Sequence, residues 1–190
     1  MDNEYFIEID EVGNKFWRNK LGQLHRLDGP AVEGILTHKS WYKNGLRHRL
    51  DGPAVEWNDG TKEWWQNGKL HRLDGPAEER FNGEKYWWKN GKLHRLDGPA
   101  IECANGTKHW YKDGKRHRLN GPAVEYIGGH KEWYQYGKLH RIDGHSKELS
   151  DGTKQWYKNG RRFKNKDTFF RSLNKKEKEI ALFSEDFLNG

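Results

Sequence analysis

A His-Arg dipeptide stands at His25, His48, His71, His94, His117 and His140, each copy 23 residues after the one before. All five prolines (Pro30, Pro53, Pro76, Pro99, Pro122) keep the same interval, and so do six tryptophans: Trp41, Trp64, Trp87, Trp110, Trp133 and Trp156. Each of these tryptophans precedes a second aromatic: Tyr42, Trp65, Trp88, Tyr111, Tyr134 and Tyr157. Four residue classes locked to one period define a tandem array. Such a chain folds block by block, each block touching mainly its neighbours.

One block reads PAVEWNDGTKEWWQNGKLHRLDG, from Pro53 to Gly75, and carries three turn signals: Asp59-Gly60, Asn67-Gly68 and Asp74-Gly75-Pro76. The first separates AVEW from TKEWW, two short segments of β-favouring residues. Asp-Gly in that position predicts a two-residue type I′ hairpin, whose central residues both need positive φ. If all three turns reversed a strand, each block would hold an odd number of strands and successive copies would point opposite ways. Two strands per block avoid that conflict, and NGKLHRLDG then becomes a connector between hairpins. Strands about 4.8 Å apart would advance the array by roughly 10 Å per block, on the order of 60 Å in all. Side chains alternate along a strand, so Trp64 and its register mates are expected on one face and Trp65 and its mates on the other. Those rows can interleave with Val55, Ile101 and Val124.

The composition agrees with a thin sheet. Only 33% of the residues are apolar and 33% are charged, yet 26 are aromatic and 22 are glycine. The aromatic content argues against a disordered chain, and the shortage of aliphatics argues against one thick core. A lone Cys103 rules out an internal disulfide framework and a thiolate zinc cluster. MDNEYFIEID lacks an apolar signal core and no run approaches spanning length, which predicts a soluble protein of a reducing compartment. The net charge of +7 keeps acidic partners in play, although acids and bases alternate through the repeats.

An aromatic, then Asn-Gly-Lys, His and Gly at this period resembles the MORN repeat (membrane occupation and recognition nexus). In one block the matching residues are Trp65, Asn67, Gly68, Lys69, His71 and Gly75, with Gly60 in the hairpin turn, and the likeness covers about residues 15–163. Thr61 and Glu63 stand where the family carries its Tyr-x-Gly, and His71-Arg72-Leu73-Asp74-Gly75-Pro76 replaces His-Gly-x-Gly. The chain therefore resembles a divergent HRxDGPA branch, similar to arrays in proteins of phages and large DNA viruses. The resemblance implies an elongated single-layer antiparallel sheet of stacked hairpins, with scaffolding, dimerisation or phospholipid contact as associated roles. For a viral protein it implies residence in the host cytoplasm.

The expected organisation is a lead-in strand over residues 1–14, hairpin repeats over 15–163 and a helical segment over 164–190. DTFFRSL and NKKEKEIALFSEDFL read as a short and a longer helix, the second capped by Asn174 with Glu177 three residues on. Ile180, Phe183 and Phe187 fall on one helical stripe beside Leu188, while Glu185 and Asp186 in the same turn argue against membrane insertion. The segment reads as a cap over the last hairpin, or as a docking element made of Arg161, Arg162, Phe169, Phe170, Ile180, Phe183 and Phe187.

His, Arg and Asp within four residues could suggest acid–base or phosphoryl chemistry. A catalytic centre, however, needs different groups converging on one point, and this chain sets the same groups in a row. Arginine in that position is expected to fork onto a carboxylate such as Asp74 or Glu56, or onto loop carbonyls, and so fix the stacking of blocks. Asn120, in place of Asp in one copy, keeps the turn chemistry and loses the charge. Histidines spaced roughly 10 Å apart cannot share a metal ion, and no phosphate-cradling glycine pattern is present, so no cofactor is expected. The sequence thus predicts an all-β hairpin-repeat protein with a helical cap and no enzymatic activity, acting through protein–protein contact. The candidate surface is Trp41, Trp64, Trp87, Trp110, Trp133 and Trp156 with Arg49, Arg72, Arg95, Arg118 and Arg141. A homodimer is a further partner class; the alternative ligands are nucleic acid, a nucleotide or an acidic lipid headgroup, met by stacking aromatics and Lys/Arg.

Overall fold

The computed structural model describes residues 5–184 and Phe187. Glu185, Asp186 and Leu188, like the first four residues, lie outside the described residues. The chain divides into two compact units, Met1–Leu93 and His94–Gly190.

Each unit is built on antiparallel sheet whose neighbours follow chain order. In Met1–Leu93 the strands are Phe6–Ile9, Lys15–Arg18, Val32–Glu33, His38–Ser40, Val55–Trp57, Lys62–Glu63, Glu78–Glu79 and Lys85–Tyr86. In His94–Gly190 they are Ile101–Glu102, Lys108–His109, Val124–Glu125, Lys131–Glu132, Lys147–Glu148, Lys154–Lys158 and Arg161–Phe163. Each full repeat thus gives this sheet two strands, joined at the Asp59-Gly60 position and its mates, as the parity of the repeat requires.

The turn there differs from the expected one. Trp57 N–H bonds Thr61 O, Gly60 N–H bonds Trp57 O, and of the loop residues only Gly60 has positive φ, at 92°. This is a three-residue loop, a type I turn closed by a left-handed glycine, not a type I′ pair. Asp59 Oδ1 accepts from Thr61 N–H at 2.8 Å, a side-chain bond that stabilises this loop form.

The connector also differs. It was expected to be a loop, but Trp65–Gln66 pairs antiparallel with Lys69–Leu70 in a second, very short hairpin. Asn67 (φ 49°) and Gly68 (φ 72°) form its type I′ turn. The same element recurs at Tyr42–Lys43 with Leu46–Arg47, Trp88–Lys89 with Lys92–Leu93, Tyr111–Lys112 with Lys115–Arg116, and Tyr134–Gln135 with Lys138–Leu139. Four short strands per repeat keep the count even, so within each unit successive copies still face one way. The first repeat needs a longer turn: Asn19 N–H bonds Gln23 O around Lys20-Leu21-Gly22.

Trp64 is the pivot between the two ladders. Its N–H bonds Ala77 O in the next repeat's strand, and its C=O accepts from His71 N–H in its own second hairpin. Second hairpins are tied to their successors in turn, by Gly68 N–H to Arg47 O and by Arg49 N–H to Trp65 O. The core beneath is thin. Ala31, Ala54, Ala77, Ala100, Ala123, Val55 and Val124 are fully buried, and small residues let the backbones approach.

After Arg161–Phe163 the repeat stops and two helices follow, α1 (Lys166–Arg171) and α2 (Lys175–Leu182). Each opens on a reciprocal capping box, Asn165 with Thr168 and Asn174 with Glu177. They pack on the strand Lys154–Lys158 through one apolar cluster: Trp156, Phe169, Leu173, Ala181 and Phe187. The expected stripe is only partly used. Phe187 is buried, but Ile180 is 44% and Phe183 is 90% exposed, because α2 ends at Leu182 and the helical register does not carry to Phe183.

Candidate functional site

The HRLDGPA motif follows the second hairpin and runs into the next repeat's first strand. Its arginine is held from all sides. Arg72 lies over the Trp64 ring with Cζ 4.1 Å from the centroid. Its Nε–H donates to Asp74 at 2.9 Å, and Nη1 donates to Pro76 O and to Glu79 Oε1, both at 3.2 Å. Both carboxylates named from the sequence are used: Asp74 pairs with Arg72, and Glu56 pairs with Arg49, as its register mate Glu79 does with Arg72. Arg26 on Trp17, Arg49 on Trp41, Arg118 on Trp110 and Arg141 on Trp133 repeat the stack at 3.9–4.4 Å. Arg95 makes the same fork to Asp97, Pro99 O and Glu102. The arginine bond is the chief cause holding the Asp51, Asp74 and Asp97 carboxyls below the usual range.

The variant copy shows which parts matter. With Asn120 in the aspartate position, Arg118 keeps its place over Trp110 and closes to 2.6 Å from Glu125. The aspartate is therefore dispensable to the stack, while the tryptophan, the arginine and the strand glutamate are common to both forms.

Glycine at position 75 of this motif answers to close approach and not to φ. Gly75 is not left-handed, but a Cβ there would sit 2.9 Å from Arg72 Cζ. Gly75→Ala should destabilise the protein by about 1–2 kcal/mol in urea denaturation, against the modest gain Gly→Ala gives at an unstrained site. A neutral or stabilising result would mean the guanidinium has room elsewhere.

The histidine caps the next repeat. His25, His117 and His140 accept, through Nδ1, the backbone N–H of the first residue in the following type I′ turn, Asn44, Tyr136 and Asn159, at 3.0–3.3 Å, and at His48, His71 and His94 the Nδ1 lies against both the backbone N–H and the side-chain oxygen of Asn67, Asn90 and Asp113. Accepting the N–H needs an unprotonated Nδ1. Burial pushes His117 and His140 below the ordinary imidazole value, with Lys112 adding to the effect at His117. A lowered folded value means this stability is complete above about pH 6.5, the unfolded value, and is lost as pH falls toward the folded value. The melting temperature should hold steady above pH 7 and decline between about pH 6.5 and 5. The decline should shrink in a His117→Gln/His140→Gln variant, with His38 and His109, also lowered by burial, supplying the remainder. A flat profile to pH 5 would contradict the assignment.

On the opposite face Glu63 accepts the indole N–H groups of Trp57 and Trp65 at 3.2 and 2.8 Å. Its register mate Glu132 is buried; burial alone would raise its carboxyl, but Lys147, the Tyr134 hydroxyl and His130 hold it below the usual range.

The predicted surface residues therefore have the following places. Trp41, Trp64, Trp87, Trp110 and Trp133 are half-buried and Trp156 is buried. Trp41, Trp64, Trp110 and Trp133 each lie under an arginine of the same motif. Arg161 and Arg162 are exposed on the last strand, Phe169 is buried, and Phe170 packs partly against the helical cluster. Among the described residues no group of three or more His, Cys, Asp or Glu side chains is placed to hold a metal ion, and no helix is long and apolar enough to cross a membrane. Cys103 opens a hairpin turn just after the strand Ile101–Glu102, with its N–H on Thr107 O.

What the sequence reading overlooked is the third residue of HRLD. Leu27, Leu50, Leu73, Leu96 and Leu119 are 57–77% exposed. The signal was present, as an apolar residue repeated at a position that no partner in the motif requires. No family model matches this chain, and no curated protein is significantly similar to it.

Proposed function

We propose that this chain is a non-enzymatic repeat module that acts by binding another protein. The observation that carries the reading is the division of labour inside HRLDGPA. Histidine caps a turn, arginine joins tryptophan to two carboxylates, the exposed aspartate being one of them, glycine makes room and alanine is buried, while leucine is the apolar residue of the motif turned to solvent in one copy after another. Reactive groups are engaged in holding repeats together, and an aliphatic row is left outside, where isolated exposed leucines would need no explanation but a periodic row does. The likeness to HRxDGPA arrays of viral proteins extends the reading to a viral factor that occupies and inhibits a host protein.

Immobilised full-length chain should capture a protein from host extract, and the complex should survive rising salt. Binding to labelled oligonucleotides or anionic vesicles that is tight at physiological ionic strength and falls steeply with salt would replace this reading with an anionic ligand.

A further inference from the structure

Not every exposed position of the repeat is fixed. The tip of the main-sheet hairpin reads Ile35, Asn58, Phe81, Ala104, Ile127 and Ser150 from copy to copy, all exposed. The leucine after the motif arginine does not drift, although it too is exposed. It changes only once, to Ile142, in the copy that the chain's own helical cluster packs against.

These leucines flank a recurring groove. One copy, about 560 Å³, lies between the connectors of Leu27 and Leu50, with Trp41 and Lys43 on its walls. Another, about 600 Å³, lies between those of Leu96 and Leu119, with Trp110 and Lys112. The two linings correspond residue for residue at an offset of three repeats, with Asn120 for Asp51 as the one change.

The C-terminal end shows what such a surface accepts. A third copy of the groove, about 460 Å³ and lined by Leu119, Trp133, Arg141 and Ile142, has Ile180 of α2 on its wall. Lys158, the register mate of Lys43 and Lys112, donates to Glu177 of the same helix at 2.6 Å. Ser184, just past the helix, donates to the carbonyl of Asp143 in the connector. The helix thus spans two successive copies, with Ile180 at the groove whose lysine position is taken by Gln135 and Glu177 on Lys158 of the following copy. Lys43 and Lys112 have no carboxylate partner among the described residues.

We propose that the grooves at Lys43 and Lys112 dock an amphipathic helix of a partner protein, its aliphatic side chains between paired leucines, as Ile180 of α2 sits at the terminal groove, and a carboxylate on the lysine of the groove wall. Aliphatic burial supplies the affinity, and the lysine fixes the register of the incoming helix. The inference rests on the protein-binding reading and names the surface and the chemistry of the partner.

The test uses full-length protein and a fluorescein-labelled, hydrocarbon-stapled peptide of the α2 sequence, NKKEKEIALFS, in an anisotropy titration. Saturable binding is expected, about tenfold weaker in Leu50→Ser/Leu96→Ser, and weaker in Lys43→Glu/Lys112→Glu. Melting temperatures of both variants should stay at the parent value, since the leucines are exposed. Absence of saturable binding, equal binding of a scrambled peptide, or binding indifferent to the leucine change would overturn the proposal. A self-association seen by sedimentation and abolished by the leucine change would also overturn it, by placing a second copy in the grooves. A captured host protein that binds the leucine variant as well as the parent would remove the grooves while leaving the interaction module standing; failure of the parent to capture any protein would remove the module itself.

Discussion

Phe169→Ala should lower the stability of the His94–Gly190 unit by about 3–5 kcal/mol and release both helices together. Phe169 is fully buried and touches Trp156 and Phe163, at ring-centroid distances of 4.9 and 5.5 Å. Removing it opens a cavity at the centre of the apolar cluster that joins the helices to the sheet. The helices span six and eight residues, too short to persist without that contact. The Lys158–Glu177 pair cannot hold them alone, because an ion pair of this kind contributes about 1 kcal/mol or less. The loss should be read as fast exchange of the Lys178 amide, which bonds Asn174 O in the folded chain, and as a red-shifted tryptophan emission. Phe183→Ala, at a side chain 90% exposed, should change neither. Independent survival of α2 in Phe169→Ala would mean the helices are held by something other than this cluster.

Arg72→Ala should cost about 2–4 kcal/mol, an unusual penalty for a side chain that reaches the surface. Three contributions fall together: the cation over the Trp64 ring, the bonds to Asp74 and Glu79, and the bond to Pro76 O. The arginine side chain is 23% exposed, which sets the cost below that of a fully buried pair. Arg72→Lys should recover less than half of it, since an ammonium keeps the charge but cannot fork onto both carboxylates while lying flat on the indole. Full recovery by lysine would mean that only the charge matters. Because neighbouring repeats share backbone bonds through Arg72 N–H to Trp88 O and Gly91 N–H to Leu70 O, exchange should accelerate on both sides of the substitution.

Much of this was legible from the period. Strict spacing required an even number of reversals per block, and that placed the two main-sheet strands and the orientation of successive copies. The arginine fork onto Asp74 followed from the chemistry of guanidinium and carboxylate, and Asn174 with Glu177 marked the start of α2. The second hairpin escaped because strands of two residues, such as Trp65–Gln66, are too short to show alternation, although Asn67-Gly68 carried the type I′ signal that was assigned to Asp59-Gly60. Two turns with similar letters differ in loop length, and loop length is set by which residues pair across the strands. The burial of tryptophan under arginine was illegible for a related reason. Trp64 and Arg72 are brought together only because the backbone changes partner at Trp64, a tertiary event without a local pattern. The stripe from Ile180 to Phe187 assumed a helix that continues, and α2 stops at Leu182.

A double-mutant cycle on Arg72 and Gly75 tests most directly whether the repeated motif is a structural clamp. Gly75→Ala, Arg72→Ala and the pair would be compared by urea denaturation of the full chain. If the glycine exists to admit the guanidinium, alanine at 75 should destabilise the parent and should stabilise the Arg72→Ala protein by about 0.4–1 kcal/mol, the ordinary gain from removing glycine. The same loss from Gly75→Ala in both backgrounds would contradict that clamp and return HRLD to the list of sequences in search of a role.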